Sequence, residues 1–533
     1  MIKIIPLFFA LLTAPVFGQA FEWVNIGIGN DKIEGKKLLK TNNGDLIAAG
    51  CFEGSGVFSD SDIIAVGEED FFITRYDSAG NHLWSRAYGG FDNDKMKDLA
   101  NGPNNTIYVC GSTDGAMILD TLIFENINGT NGFIAQFDEV GNIRWGLNLE
   151  SNNEISANAM AISESDSIAY IAGQFKDSAY IGMYSVSSFA SESFFVAAVD
   201  YFGNVLWIST GASQDEVEPV SVVLSENSNI HLLGNFEGNL LIGSNVLPNT
   251  SDSDAFLLCI DESGDFIWSK SIGGTDDIEG RGITTDELGN IFIVGSFEDQ
   301  AHFNTDTLNS LDDEDGFFAK YSEEGIELWA KAFNGSSEVK PKDIFKDHLN
   351  GLYITGSIDG TCYFDSLVVP NTSGTDLFIV KYDTSGNALW AKGVGGSGGI
   401  EGCSIITDDT GNPIVTGYFE GTAFFDEISV NGFSDHDFFI AKLVYSADTA
   451  SIAENFTDHG QLVLFPNPAN DKIYLKGGSF NTTIQFEFEL RDAQGRRIKN
   501  LLWKPNKPID IGFLNTGLYF LNVGNTVLQF YKE

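Results

Sequence analysis

Seven tryptophans recur along this chain at an almost constant interval: Trp23, Trp84, Trp145, Trp207, Trp268, Trp329 and Trp390, with a step that never varies by more than one position. Seven glycines keep the same step, Gly50, Gly111, Gly173, Gly234, Gly295, Gly356 and Gly417, each at the same offset beyond its Trp to within one position. Two markers held in phase over seven cycles define one supersecondary unit repeated. A period of this size with β-rich content predicts a propeller blade. The expected fold class is all-β, a seven-bladed β-propeller. Function does not follow from it, because propellers host many unrelated activities.

The repeat spanning residues 279–333 displays the unit. Residues 281–285 read as a first strand and 286–290 as a turn. Residues 291–297 are a Val/Ile/Phe-rich second strand, followed by a polar connection with a short apolar stretch at 301–303. Residues 316–321 form a third strand, and a turn through Gly325 leads to the fourth, which carries Trp329. The third-to-fourth hairpin is the most regular part. Gly80, Gly141, Gly203, Gly264, Gly325 and Gly386 each precede a Trp by four residues. Asp77, Asp138, Asp200, Asp261 and Asp383 precede their Gly by three, with Ser322 in the remaining copy. Asp opening a type I turn accepts backbone N–H groups, and Gly three residues later closes it in the left-handed conformation. These aspartates are therefore turn residues in this reading, not catalytic acids.

The tryptophans admit two readings. Flanked by apolar residues, as in Val205-Leu206-Trp207, each suits a ring wedged between adjacent blades; exposed together they would make a sugar-stacking platform. Trp23 carries a fourth-strand signature with no hairpin partner before it, and residues 438–445 form a third strand with no Trp after it. The two halves are expected to pair and complete the last blade, which removes the exposed edges of an open array.

The formal charge of −45 is unevenly placed. Nine of the 30 Lys/Arg and six of the 75 Asp/Glu lie from Leu462 onward, a balance of +3. The rest keeps 21 basic and 69 acidic residues, or −48. So acidic a body excludes nucleic acid as a partner, since phosphates are repelled. It suits solubility outside the cell, a divalent cation or a cationic partner. Five cysteines, Cys51, Cys110, Cys259, Cys362 and Cys403, show no metal or CxxC spacing and read as mostly buried free thiols.

Residues 1–18 read as a signal peptide: Lys3 gives a positive start, residues 4–17 are uncharged and mostly apolar, and cleavage falls ahead of Gln19. No Cys follows that point, which disfavours a lipoprotein anchor. No later stretch approaches the roughly 20 apolar residues of a transmembrane segment. The expected division is signal peptide 1–18, propeller 19–445, polar linker 446–461 and a separate C-terminal unit 462–533.

The repeat resembles the bacterial seven-bladed β-propeller repeat family in Phe378-Ile-Val-Lys-Tyr-Asp383, Gly386-Asn-Ala-Leu-Trp390 and Asp409-Thr-Gly-Asn412 leading to Val415-Thr-Gly417. That likeness implies a fold and hardly any activity. The tail opens with Leu462-Val-Leu-Phe-Pro-Asn-Pro and continues through Asp492-Ala-Gln-Gly-Arg496 and Leu514-Asn-Thr-Gly-Leu-Tyr519 to Lys532, with the alternation of a small β-sandwich. It is similar to the C-terminal sorting domain of type IX secretion cargo in Bacteroidetes-type Gram-negative bacteria. The resemblance implies a partner, the type IX secretion machinery, and a destination outside the cell or on the outer-membrane surface.

The six histidines fall at different phases of the repeat, and no phosphate-loop, zincin or nucleophile-elbow motif occurs. Acids do share one phase: Glu34, Glu218, Glu279 and Glu401 stand at one and the same offset beyond a Trp, with Lys95, Ser156 and Lys340 in the other copies. A propeller places this segment near the mouth of its central channel. A partial carboxylate ring there suits a metal ion such as Ca²⁺, which takes roughly six to eight oxygen ligands; solvated acids are the alternative. The function classes left open are a secreted or cell-surface binding or adhesion protein with no evident catalytic constellation, a secreted glycosidase or polysaccharide lyase using channel-mouth carboxylates, and a structural matrix protein.

Overall fold

The computed structural model describes residues 18–446 except 127–128, 164 and 373, and in the tail 463–465, 472–476, 486–492, 497–503, 509–514, 517–523 and 526–532. Apart from Gly18 and Ser446, which end strands of the larger sheet array, the expected signal peptide and linker lie outside the described residues. The chain divides into two compact units, one comprising Gln19–Ser446 and the other holding the tail.

The larger unit is built of four-stranded antiparallel blades. The first blade runs Ile33–Lys40, Leu46–Phe52, Asp70–Tyr76 and His82–Gly90, in that order from the centre outward. Six further copies follow, and their innermost strands mark the ring. These inner strands are β1 (Ile33–Lys40), β2 (Asp94–Gly102), β3 (Ile155–Ser163), β4 (Val217–Leu224), β5 (Ile278–Thr285), β6 (Val339–Lys346) and β7 (Ile400–Thr407). Each inner strand contacts the next, and β7 returns to β1, so the ring closes with seven blades. The seventh blade takes its outer strand from the opposite end of the chain. Gly18–Gly29 pairs with Asp437–Ser446 in the sheet of Ile400–Thr407 and Pro413–Phe419. Lys442 bonds Glu22 at 3.0 Å across that seam, and Phe21 meets Phe425 edge-on with centroids 5.0 Å apart.

Second and third strands are buried along all or nearly all of their length, wholly so in Leu46–Phe52 and Asp70–Tyr76, because blades cover both faces. They therefore read as continuous apolar runs rather than as an alternation. Each apolar cluster draws on neighbouring blades: Ile47, Ile73, Val109 and Phe133 share one. The tryptophans serve the same junction. Six of the seven indoles, Trp23 to Trp329, lie against the turn glycine of the next blade; a methyl at Gly264 would come within 2.8 Å of Trp207, and one at Gly325 within 2.8 Å of Trp268. Trp145, Trp207 and Trp268 donate Nε1–H to the carbonyls of Tyr201, Glu262 and Glu323 at 2.9, 2.9 and 3.0 Å in that turn. The wedge reading holds and the exposed platform does not. The turn aspartates behave as expected, Asp261 accepting the N–H groups of Ser263 and Asp265 at 2.8 and 2.9 Å.

Two features differ from the sequence reading. The connection after the second strand is a short hairpin that extends the sheet of the preceding blade, as Met117–Leu119 and Leu122–Phe124 extend the first. Blades are thus joined by hydrogen bonds as well as by packing. The third strand also carries a buried Asp near its start in five copies, Asp70, Asp254, Asp315, Asp376 and Asp437. Each accepts an N–H from four residues earlier, for example Val66 to Asp70 and Thr250 to Asp254, both at 2.7 Å.

The tail forms two small sheets. One has Lys472–Lys476 between Val463–Phe465 and Ile509–Asp510; the other runs Arg497–Trp503, Phe486–Asp492, Gly517–Val523, Thr526–Lys532. Ile473, Leu490, Ile509, Ile511 and Leu521 are buried, the core of a small β-sandwich. Among the described residues no helix is long and apolar enough to cross a membrane.

Candidate functional site

Every inner strand carries a β-bulge at the same place. The register against the second strand slips between Gly35 and Lys37, Met96 and Asp98, Ala157 and Ala159, and Pro219 and Ser221. It slips again between Gly280 and Gly282, Pro341 and Asp343, and Gly402 and Ser404. The extra residues are Lys36, Lys97, Asn158, Val220, Arg281, Lys342 and Cys403, all at one phase of the repeat. A bulge re-aims its side chain out of the ladder, and all seven line one cavity of about 610 Å³. The marker glycines explain how the bulges fit. A side chain on Gly50, Gly111, Gly173, Gly295, Gly356 or Gly417 would overlap the carbonyl oxygen of the residue two before the bulge, Glu34 in the first blade and Glu279 in the fifth.

That same residue is the acidic phase seen in the sequence. Glu34, Glu218 and Glu401 line the cavity from three different blades, but among the described residues no three of the four glutamates have oxygens within 4.8 Å of one another. Glu279 is tied to Arg281, whose guanidinium lines the wall. The four differ in their partners. Glu34 bonds Lys36 at 2.6 Å and also His436. Burial pushes its carboxyl up, but His436 and Lys36 prevail and hold it at about 2. Glu401 lies 3.6 Å from Lys342, and Glu218 is exposed with no ion-pair partner among the described residues. Among the described residues, the acids whose oxygens all lie within 4.8 Å of one another are Asp252, Asp276 and Asp277, away from this cavity.

Apart from Lys95, the basic half of the site escaped the sequence reading, although four of its cations, Lys36, Lys97, Arg281 and Lys342, lie two residues beyond the acidic phase. Lys95 pairs with Glu69 at 3.0 Å. Lys37 lies 3.4 Å from Asp98, which also accepts the Met160 N–H of the next blade at 2.8 Å. On the rim, His436 stacks on Tyr418 with centroids 4.2 Å apart, and burial, with the Glu401 charge beside it, raises the Tyr418 hydroxyl above its ordinary value. Burial pushes the Cys403 thiol up to about 11, so it is uncharged at neutral pH. All five cysteines are unpaired.

Comparison with known proteins separates the two units. Residues 463–532 match the family described as secretion system C-terminal sorting domain, and residues 267–296 match the beta-propeller repeat family. An uncharacterized WD repeat-containing protein of Acanthamoeba polyphaga mimivirus is 23% identical over 499 residues, 74% of this chain and 36% of its own. Regulatory protein FlaEY of Caulobacter vibrioides is 30% identical over 114 residues, 21% of this chain and 12% of its own. The chain thus spans about a third or less of the length of these relatives. Among solved structures, the Pan2 WD40 domain of Neurospora crassa aligns with a TM-score of 0.41 at 10% identity, covering 76% of this chain and 88% of that one. A Synechocystis apocarotenoid oxygenase variant aligns at 0.36 and 10%, covering 75% and 89%. At such scores neither likeness bears on the function. The sheet topology makes the larger unit a β-propeller, one stretch of which matches the beta-propeller repeat, and residues 463–532 match a secretion-system sorting domain.

Proposed function

We propose that this chain is a secreted or outer-membrane surface binding protein, delivered by the type IX secretion machinery, whose propeller takes its ligand at the central cavity. The match of residues 463–532 to a sorting domain carries the reading, because it gives the propeller a destination outside the cell. The bulge-lined cavity supports the second half. It is polar, rimmed by charges of both signs, and within the roughly 300–1,000 Å³ usual for small-ligand sites. A glycan and protein array probed with the full chain tests it: specific hits that a cavity variant abolishes are expected, and an array without hits would overturn the binding reading.

One observation favours a second reading, a glycosidase or polysaccharide lyase. Tyr418, Glu401, Glu34 and His436 bring groups able to accept and donate protons to one side of the cavity. Time-dependent appearance of shortened or unsaturated oligosaccharides from an array hit would decide for it.

A further inference from the structure

Seven of the side chains lining the cavity are Lys or Arg, against five Glu. Before Leu462 the chain has only 21 basic residues among 69 acidic ones, so a third of them meet in one place. A body of charge −48 repels anions at long range, and a site for one must be built from local cations. The bulges build it. Around the ring the bulged residues are Lys36 on β1 and Lys97 on β2, then Asn158 and Val220, then Arg281 on β5 and Lys342 on β6, then Cys403. The cations form two arcs facing each other across the axis. Lys97 is exposed in the cavity and has no ion-pair partner among the described residues.

Resting on the binding reading above, we propose that this cavity binds an acidic oligosaccharide, with carboxylates of separate sugar units held by the two arcs. Two arcs on opposite sides suit two spaced monoanions better than one compact phosphate. Among the described residues no helix N-terminus faces the cavity to cradle a phosphate, since its lining comes from strands and their turns. The interleaved glutamates fit the rest of such a ligand. Glu218 stands on the arc that lacks cations and, exposed there without an ion-pair partner among the described residues, can accept sugar hydroxyls. A peptide fits poorly, because recognition by strand addition needs a regular edge and every inner strand here is broken by a bulge.

The test is calorimetric titration of the full chain with trigalacturonate, with maltotriose as neutral probe, and with inorganic pyrophosphate and triglutamate as other anions. Trigalacturonate is expected to bind and maltotriose not. Lys97→Gln and Lys342→Gln should each weaken binding about tenfold, and raised salt should weaken it further. Lys331→Gln, which removes a cation paired to Asp365 elsewhere, should leave it unchanged. Lys97 is exposed, so its variant should melt as the wild type does. Failure of trigalacturonate to bind, equal binding by all variants, or pyrophosphate or triglutamate binding in its place would overturn the assignment. A neutral or protein hit on the array would sink this inference and leave the binding reading standing. Cleavage of trigalacturonate would do the reverse.

Discussion

Gly295 on the second strand of the fifth blade lies against the backbone carbonyl of Glu279 on the inner strand, so close that a methyl group there would overlap the oxygen. The glycine is what allows the inner strand to bulge at Arg281. Gly295→Ala should therefore force the strands apart and lower stability by about 1–3 kcal/mol. Ser296→Ala is the control: its buried hydroxyl has no hydrogen-bond partner among the described residues, so removal should be neutral or slightly stabilising. Denaturation midpoints of the two variants check this, and equal midpoints would refute it.

The second prediction concerns the blade junction. Trp207→Ala removes the indole packed on Gly264 and its bond to the Glu262 carbonyl at 2.9 Å. A loss of about 3–5 kcal/mol is expected. Trp207→Phe should cost less, because it keeps most of the ring but not the donor. A midpoint unmoved by the alanine would mean the junction is held by the outer hairpins alone.

The repeat length, the closing blade, the turn aspartates and the Trp wedge were all legible in the sequence. Each depends on short-range chemistry stamped seven times, so the period amplifies it. The bulge was not legible, since one extra residue in a strand changes no composition. Its trace was the marker glycine, whose partner carbonyl on the other strand no one-dimensional reading can locate. The site was half visible for the same reason. One fixed offset from the Trp marker displayed Glu34, Glu218, Glu279 and Glu401, whereas Lys36, Lys97, Arg281 and Lys342, two positions further on, were out of step with an expectation of acids. Tyr418 reaches the rim from a second strand and His436 from the bend just before a third, and neither residue type recurs at its position in the other blades.

The third prediction is a pH window. Glu34 sits at about 2, below its ordinary 4.5. The stability it contributes is present above about pH 4.5 and is lost as pH falls toward 2. His436 is raised above 6.5, chiefly by its hydrogen bond to Glu34, with Glu420 helping and Lys32 opposing. Its contribution is complete below that value and is lost as pH rises through the raised one. Both hold between those limits. Glu34→Gln should therefore destabilise most near about pH 5.5 and less at about pH 3 and pH 9. Thermal melts at the three values measure it, and a constant difference would show that the pair is not linked to folding.

The fourth concerns export. The tail has its own sheets and core and a charge balance opposite to that of the body. Deleting residues 462–533 in the native host should leave a folded propeller in the periplasm. Fractionation with an antibody to the propeller reads the outcome, and a truncated chain still reaching the medium by the same machinery would make the sorting reading wrong.

The last prediction is for Ca²⁺ at Glu34, Glu218, Glu279 and Glu401, which remains a proposal. Three of these already have a basic neighbour, Lys36, Arg281 or Lys342. An ion therefore gains least at those and most at Glu218, whose charge is uncompensated. An ion bound only by the folded state, with the roughly millimolar affinity of extracellular calcium modules, should add about 1 kcal/mol at a few millimolar. Melting curves with Ca²⁺ and with chelator supply the measurement. Glu218→Gln is expected to remove most of the shift, and Glu279→Gln less, because that carboxylate is held by Arg281. A shift that both substitutions leave intact would place the ion elsewhere, and Asp252, Asp276 and Asp277 would be the group to mutate next. The absence of any shift would leave the four glutamates as ion-pair partners and hydroxyl acceptors of the cavity wall.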